Sequence, residues 1–350
     1  MIKINKRQEY ILAYIKEHNE GSISDLLSFL QNTEENISKI TVNRDINVLL
    51  DLKYLEKKGK GRALVYILSA TYKVLYPVNV EEYFQTEFDQ RKINQQFDFS
   101  VFDMETNIFN EDEIIELEAL NTTYRKHKQQ LSSTLLQKEY ERLMIELSWK
   151  SSQLEGNTYS LLDTEVLLKE AKEAPNHSHS ESVMLLNHKF ALEYIQKNAD
   201  IFKDISVAKV EDVHSLLTKD LGISRNLRKT MVRIVGTEYL PLDNEFQIRE
   251  ALEKTCVLVN KAKNPFDKVV LLMVCIAYIQ AFEDGNKRTS RLMGNALLFA
   301  YDICPLSFRG VENAEYKKAV VLFYEQQNIS YFKELFKKQF EFAVHHYFRV

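Results

Sequence analysis

The run Val269–Ile279, "VVLLMVCIAYI", constrains the fold more than any other stretch of this chain. It is apolar on all sides of a helix, so a helix there must be covered all round by its neighbours. It is also too short for a bilayer, which needs about 20 apolar residues. The run therefore predicts the central helix of a helical unit. The 350 residues include only 9 Gly and 5 Pro, with abundant Leu, Glu and Lys, which favours a mainly α chain over a β-sandwich. From Glu111 onward the apolar spacing is helical almost to the end. No repeat period shows, and no low-complexity tract appears beyond the polar loop "PNHSHSES".

The length suits two or more domains. The expected division is a small unit over 1–70, a connecting segment over 71–110 and a helical domain over 111–350. The connecting segment, opening "TYKVLYPVNVEEYFQTEFDQ", is too aromatic for a flexible linker. A net charge of −4 argues against nucleic-acid binding by the whole surface but leaves a local basic face open. Cys256, Cys275 and Cys304 lie far apart with no CxxC spacing, which reads as reduced core thiols rather than a disulfide frame or zinc site. The start, "MIKINKRQEY", has no apolar signal core. The expectation is a cytoplasmic protein with no membrane partner.

The apolar run leads into "QAFEDGNKRTSRLM". Gly285 and Asn286 are the residue types that best tolerate positive φ, so a turn belongs there, with a helix starting near Lys287. The first amides of that helix lack internal acceptors, and with the helix dipole they form an anion site. Arg288 and Arg291 share a face of its first turn and can clamp further phosphates. Asp284 supplies a hard oxygen beside this nest, suited to Mg²⁺ on a phosphate.

Near the N-terminus, Tyr10, Ile11, Tyr14 and Ile15 repeat at helical spacing, and Ser22 is placed to cap a second helix. In "SKITVNRDINVLL", Val42, Ile46, Leu49 and Leu50 share one face, leaving Ser38, Lys39, Thr41, Asn43, Arg44 and Asn47 on the rest. "YLEKKGKGRALVYIL" reads as two short strands around a basic turn. The order resembles the winged helix-turn-helix of bacterial repressors. That resemblance puts Ser38, Lys39, Thr41, Asn43 and Arg44 toward a DNA groove, with Lys57, Lys58, Lys60 and Arg62 on phosphates. The other reading of the same residues is a protein-docking module with a solvated helix face.

The 280–291 segment resembles the signature of the Fic family, His-x-Phe-x-Asp/Glu-Gly-Asn-Gly/Lys-Arg-x-x-Arg. Phe282, Asp284, Gly285, Asn286, Lys287, Arg288 and Arg291 match in register. "SSQLEGN", residues 151–157, is similar to the inhibitory motif of autoinhibited Fic proteins, with Ser151, Glu155 and Gly156 matching and a helix expected near 146–157. "RKTMVRIVGTEYLP", residues 228–241, is similar to the family's flap, a small β-hairpin. The resemblance covers roughly 110–345 and implies a helical Fic domain that transfers AMP from ATP to a hydroxyl of a target protein, or of itself.

The resemblance also implies the roles. Asp284 would hold Mg²⁺, Gly285, Asn286 and Lys287 would form the phosphate nest, and Arg288 and Arg291 would hold the terminal phosphates. Glu155 would pair with Arg291 and block the γ-phosphate. Met231, Val232, Arg233, Ile234 and Val235 would dock the target as an added strand. Tyr316 would lie near the adenine, with an ordinary core tyrosine as the competing reading.

The departure is at position 280, where the family's His is Gln. An amide cannot act as a general base. Two other readings therefore stand beside adenylylation: a catalytically inactive, nucleotide-binding, DNA-binding regulator, and a phosphotransferase like the related Doc toxins, which share Lys287. His177, His179 and His188 are expected to be solvated, His214 to be a buried or half-buried helix residue, and Trp149 a core anchor. Thr237 and Tyr239 are candidate self-modification sites on the flap. The sequence leaves a homodimer open.

Overall fold

A computed structural model describes residues 4–33 and 37–349. The first compact unit ends at Val78 and the second runs from Asn79 to the end. In the first unit, α1 (Lys6–His18) starts in a capping box between Asn5 and Gln8. It is followed by α2 (Ile23–Thr33) and α3 (Lys39–Asp51), the latter capped by the Ser38 hydroxyl. The strands β1 (Leu55–Lys58) and β2 (Val65–Leu68) pair antiparallel, Leu55 opposite Leu68 and Lys58 opposite Val65. Gly21 adds a further bridge to Tyr66. Val42, Ile46 and Leu49 of α3 face Ile11, Leu12, Ile15, Leu26 and Leu30 in the core. Asp45 is also buried, and its carboxylate accepts from Arg7, Asn5 and Gln8, joining α3 to the start of α1. The short α4 (Ala70–Leu75) closes this unit.

The second unit is built around α12 (Pro265–Ile279). Before it come α5 (Val80–Gln85), α6 (Glu111–Gln130), α7 (Ser133–Gln153), α8 (Leu161–Glu170), α9 (His179–Lys197), α10 (Val207–Leu217) and α11 (Glu245–Lys261). After it come α13 (Asn286–Ala300), α14 (Asn313–Gln326) and α15 (Ser330–His346). Every residue of α12 from Phe266 to Ile279 is buried, with α11, α13, α14 and α15 around it. Gly294 is what lets α13 lie close to α12, since a Cβ there would sit 2.6 Å from Met273 Sδ. The three cysteines are free and buried. Among the described residues no helix is long and apolar enough to cross a membrane.

Residues 228–241, expected as a flap hairpin, form no strand pair and make only an isolated parallel bridge between Leu240 and Gln96. Strand propensity gives a ladder only where a partner offers the complementary backbone groups, and no neighbouring segment does so. The segment is instead extended up to a turn at Gly236, with Val235 99% exposed and Met231 56% exposed. The one strand pair among the described residues is β1–β2.

Candidate functional site

The helix α12 stops at Gln280, whose φ of 50° is left-handed. Gln280 is buried, and its side-chain Nε2 donates to Ala277 O at 2.6 Å and to the Tyr324 hydroxyl at 3.1 Å. The carbonyl acceptor of Ala277 fixes which end of the amide is nitrogen. The Gln280 carbonyl in turn accepts from Arg228 Nε at 2.5 Å, and the Arg228 amide donates to Ala281 O. Arg228, at the base of the flap segment, thus anchors it to the turn.

Asn286 shapes the turn itself. Its side chain accepts from the Phe282 amide at 2.8 Å and donates to the Phe282 carbonyl at 2.7 Å. Gly285 has φ 82°, the left-handed region that a side chain resists, and α13 starts behind it with no side-chain cap. Its first amides are therefore left for another acceptor. The ring of His214 stacks on Phe282 at 3.6 Å and its Nε2 contacts the Asp284 carbonyl at 3.0 Å, holding the turn from beneath. Burial lowers the His214 pKa to about 4, so the ring is neutral near pH 7.

Arg288 and Arg291 are both buried. Arg288 Nη2 lies 3.0 Å from Asp284 Oδ2, while its Nε and Nη1 have no partner. Arg291 donates through Nε to the Ser151 hydroxyl at 2.9 Å and through Nη2 to the Ser151 carbonyl at 2.8 Å and Glu155 Oε1 at 2.9 Å. Its Nη1 also has no partner. The other carboxylate oxygen of Glu155 lies 2.8 Å from Lys287 Nζ. Burial alone would raise the Glu155 carboxyl, but Arg291 and Lys287 outweigh it and hold the pKa at about 2. Ser151 reaches this position from the last turn of α7 and Glu155 from the turn just beyond it, with Gly156 following at φ 96°. Tyr316 is buried, with its ring 5.1 Å from the Arg291 guanidinium carbon.

Of these residues, Glu155, Gly156, Gln280, Lys287, Tyr316 and Tyr324 border a cleft of about 840 Å³. Its polar lining includes Glu155, Gln280, Lys287 and Arg233, and its apolar lining includes Ile234, Val235, Val320 and Val321. Asp284 keeps much of its surface exposed beside the α13 N-terminus. No group of three His, Cys, Asp or Glu is arranged for a metal among the described residues. A lone carboxylate beside an anion nest fits a magnesium ion shared with phosphates, not an all-protein cage.

The expectations for Thr237, Tyr239 and His188 need correction. Tyr239 and Thr237 are buried and so are not offered for modification. The Tyr239 hydroxyl donates to Tyr278 O, and its ring stacks on Tyr278, because this stretch returns under the flap into the core. His188 is fully buried on α9, with neither ring nitrogen partnered, and burial beside Arg291 and Arg288 keeps its pKa well below the usual histidine range. His179 is exposed as expected and contacts Glu173 at 2.7 Å, while His177 is half-buried against Tyr159. Sequence reasoning missed Arg228, Tyr324 and the Lys287–Glu155 tie. The first two carry no motif, and the third needs the fold to bring α7 onto α13.

In the first unit, Lys39, Arg44, Lys60 and Arg62 are exposed. Ser38 and Asn43 are engaged locally, Ser38 in capping α3 and Asn43 in donating to Lys39 O, while Thr41 is half-buried. Lys58 pairs with Glu20.

Comparison with known proteins gives a consistent picture. Residues 204–298 match the model of the Fic/DOC family. A curated relative, Protein adenylyltransferase Fic from Nematostella vectensis, is 26% identical over 176 residues, which are 48% of this chain and 40% of the relative. The chain thus spans well under half the length of that relative. Among solved structures, a Fic-1 fragment from C. elegans superposes with a TM-score of 0.58 at 19% identity, covering 67% of this chain and 71% of the other. A Fic domain containing signaling protein from Bacteroides thetaiotaomicron gives 0.57 at 18%, covering 67% and 94%. A Fic family protein from Desulfovibrio desulfuricans gives 0.55 at 17%, covering 68% and 74%. At these identities the structural likeness is one of fold.

Proposed function

From the Fic/DOC domain that this chain carries, we propose a protein adenylyltransferase that moves AMP from ATP to a hydroxyl of a target protein or of itself. In this reading Glu155 holds the enzyme inhibited and Gln280 weakens it. One observation carries the phosphate assignment. Three guanidinium nitrogens, Arg288 Nε and Nη1 and Arg291 Nη1, are buried with no acceptor among the described residues, beside a helix start that lacks a side-chain cap. Buried donors left unpaired are costly, and a polyphosphate would satisfy them together.

Gly285, Asn286 and Lys287 would cradle the phosphates, with Arg288 and Arg291 on the terminal groups. Asp284 would hold Mg²⁺ against them, whose charge eases the build-up of negative charge on the leaving group. The target oxygen attacks the α-phosphorus, the bond to the α–β bridging oxygen breaks, and pyrophosphate leaves. The hydroxyl proton then needs an acceptor. Gln280 has its nitrogen committed to Ala277 and Tyr324. Its oxygen can orient the hydroxyl but cannot take the proton, and loss of a general base costs about 10²–10⁴-fold. Arg291 meanwhile is engaged by Ser151 and Glu155. The extended residues Met231–Val235 would receive the target backbone as an added strand, since their own backbone lacks a strand partner.

The test is incubation of the Glu155→Gly/Gln280→His chain with α-labelled and γ-labelled ATP. Label from the α position in protein is the expected result. Label from the γ position alone means phosphotransfer, and label from neither rejects group transfer.

A second reading joins a winged-helix first unit to a nucleotide-sensing, DNA-binding regulator. It is favoured by Lys39, Arg44, Lys60 and Arg62, which are exposed and have no carboxylate partner among the described residues. DNA binding through them would fall steeply with salt, because they displace condensed counterions. Arg44→Ala and Lys60→Ala would each weaken it. A selection from random duplexes that enriches nothing rejects this reading in favour of a protein-docking module.

A further inference from the structure

The cleft has a wall that comes from outside the matched stretch 204–298. Phe84, at the end of α5, lines it together with Val235, Gly236, Val320 and Val321. Its ring meets Tyr83 edge-on at 5.2 Å, and the Arg91 guanidinium carbon lies over it at 5.0 Å. Arg91 is nearly buried and does more than cover this ring. Its Nη1 lies 3.0 Å from Glu325 Oε2 on α14, and its Nη2 donates to the Gly236 carbonyl at 2.7 Å. Tyr83 donates to the same Glu325 oxygen at 2.7 Å. Further along, the Leu240 amide donates to Gln95 O at 2.7 Å. One guanidinium thus ties three elements: the segment after α5, the turn of the flap, and α14.

Taking ATP as the nucleotide, its phosphates are accounted for by Lys287, the start of α13 and the two arginines. What remains of the ligand is ribose and a flat apolar base, and the apolar part of the cleft is where it can bury carbon surface. We propose that Phe84 forms a wall of the purine-base pocket, and that Arg91 is the positioning residue that holds this wall against the flap turn and α14. This inference rests on the ATP reading above. Under it, base binding and target docking share one support, because the carbonyl that Arg91 holds belongs to the turn ending the docking strand.

The experiment is calorimetry on the full chain carrying Glu155→Gly, titrated with Mg-ATP and, separately, with magnesium tripolyphosphate, which has the phosphates but no base. Adding Phe84→Ala, a change at a partly exposed side chain, should weaken ATP by about tenfold, the scale of losing an aromatic contact to a base, and leave tripolyphosphate unchanged. Arg91→Lys keeps the charge opposite Glu325 but loses the fork, and should show the same split. If Phe84→Ala binds both probes as its parent does, or weakens both equally, the wall is overturned while the phosphate site stands. If neither probe binds the Glu155→Gly chain itself, the ATP reading falls and this inference falls with it.

Discussion

The Glu155 carboxylate meets two cations at once, Arg291 and Lys287, and that decides how its effect depends on pH. Its carboxyl, at 4.5 in the absence of neighbours, is held at about 2. A depressed carboxyl pKa means the tie is complete above about pH 4.5 and is lost only as pH falls through about 2. Acidification from about pH 8 to 6 should therefore not relieve the proposed block. Phosphate-probe binding to the parent chain should stay weak across that range, and a marked rise on acidification would show that something else restrains Arg291. His214 acts on stability in the same direction, but in a higher pH window. Its ring sits at about 4 against 6.5 when free, so the unfolded chain takes up a proton first as pH drops through this window. Stability is thus lost between about pH 6.5 and 4, with buried His188 acting in the same sense. Urea midpoints at about pH 7.5 and 5 should differ less in His214→Asn than in the parent. Equal differences would remove His214 from the account.

At the scale of elements, the pair α12–α13 sets the site because the turn between them can be placed only as accurately as the two helices pack. Gly294→Val should cost about 1–3 kcal/mol by driving a side chain into Met273. Met273→Ala in the same chain should recover part of that loss, measured by chemical denaturation, since the two positions are in contact. This pair was legible in the sequence. An all-round apolar run, then Gly-Asn, then a basic helix start leaves little freedom, and α12 ends and α13 begins within a few residues of the expected points. The flap was less legible, because β-branched residues such as Val232, Ile234 and Val235 become a paired strand only when another backbone lies alongside. Arg91 was not legible at all. Its partners Gly236 and Glu325 lie 145 and 234 positions away, and no local pattern marks a side chain whose role is set by where distant elements end up. His188 was misjudged for a related reason: the polar loop ahead of it suggested solvent, whereas its place on the inner face of α9 put it in the core.

Over the whole molecule, the proposed AMP transfer would be under two separate restraints. One is electrostatic, with Ser151 and Glu155 occupying Arg291 and Glu155 also occupying Lys287. The other is chemical, with an amide at 280 where the proposed transfer would call for a proton acceptor. Glu155→Gly frees Arg291 for a terminal phosphate but leaves the proton without an acceptor. Gln280→His supplies the acceptor but leaves the clamp engaged. Groups that act on the same transition state do not contribute additively. The most direct measurement is therefore incorporation of α-labelled ATP into protein by the parent, the two single variants and the double variant. The account predicts little label from either single change and far more from the double change than from the two gains added together. Label from Glu155→Gly alone as strong as from the double variant would contradict it, since the proton would then be leaving by a route that does not pass through position 280.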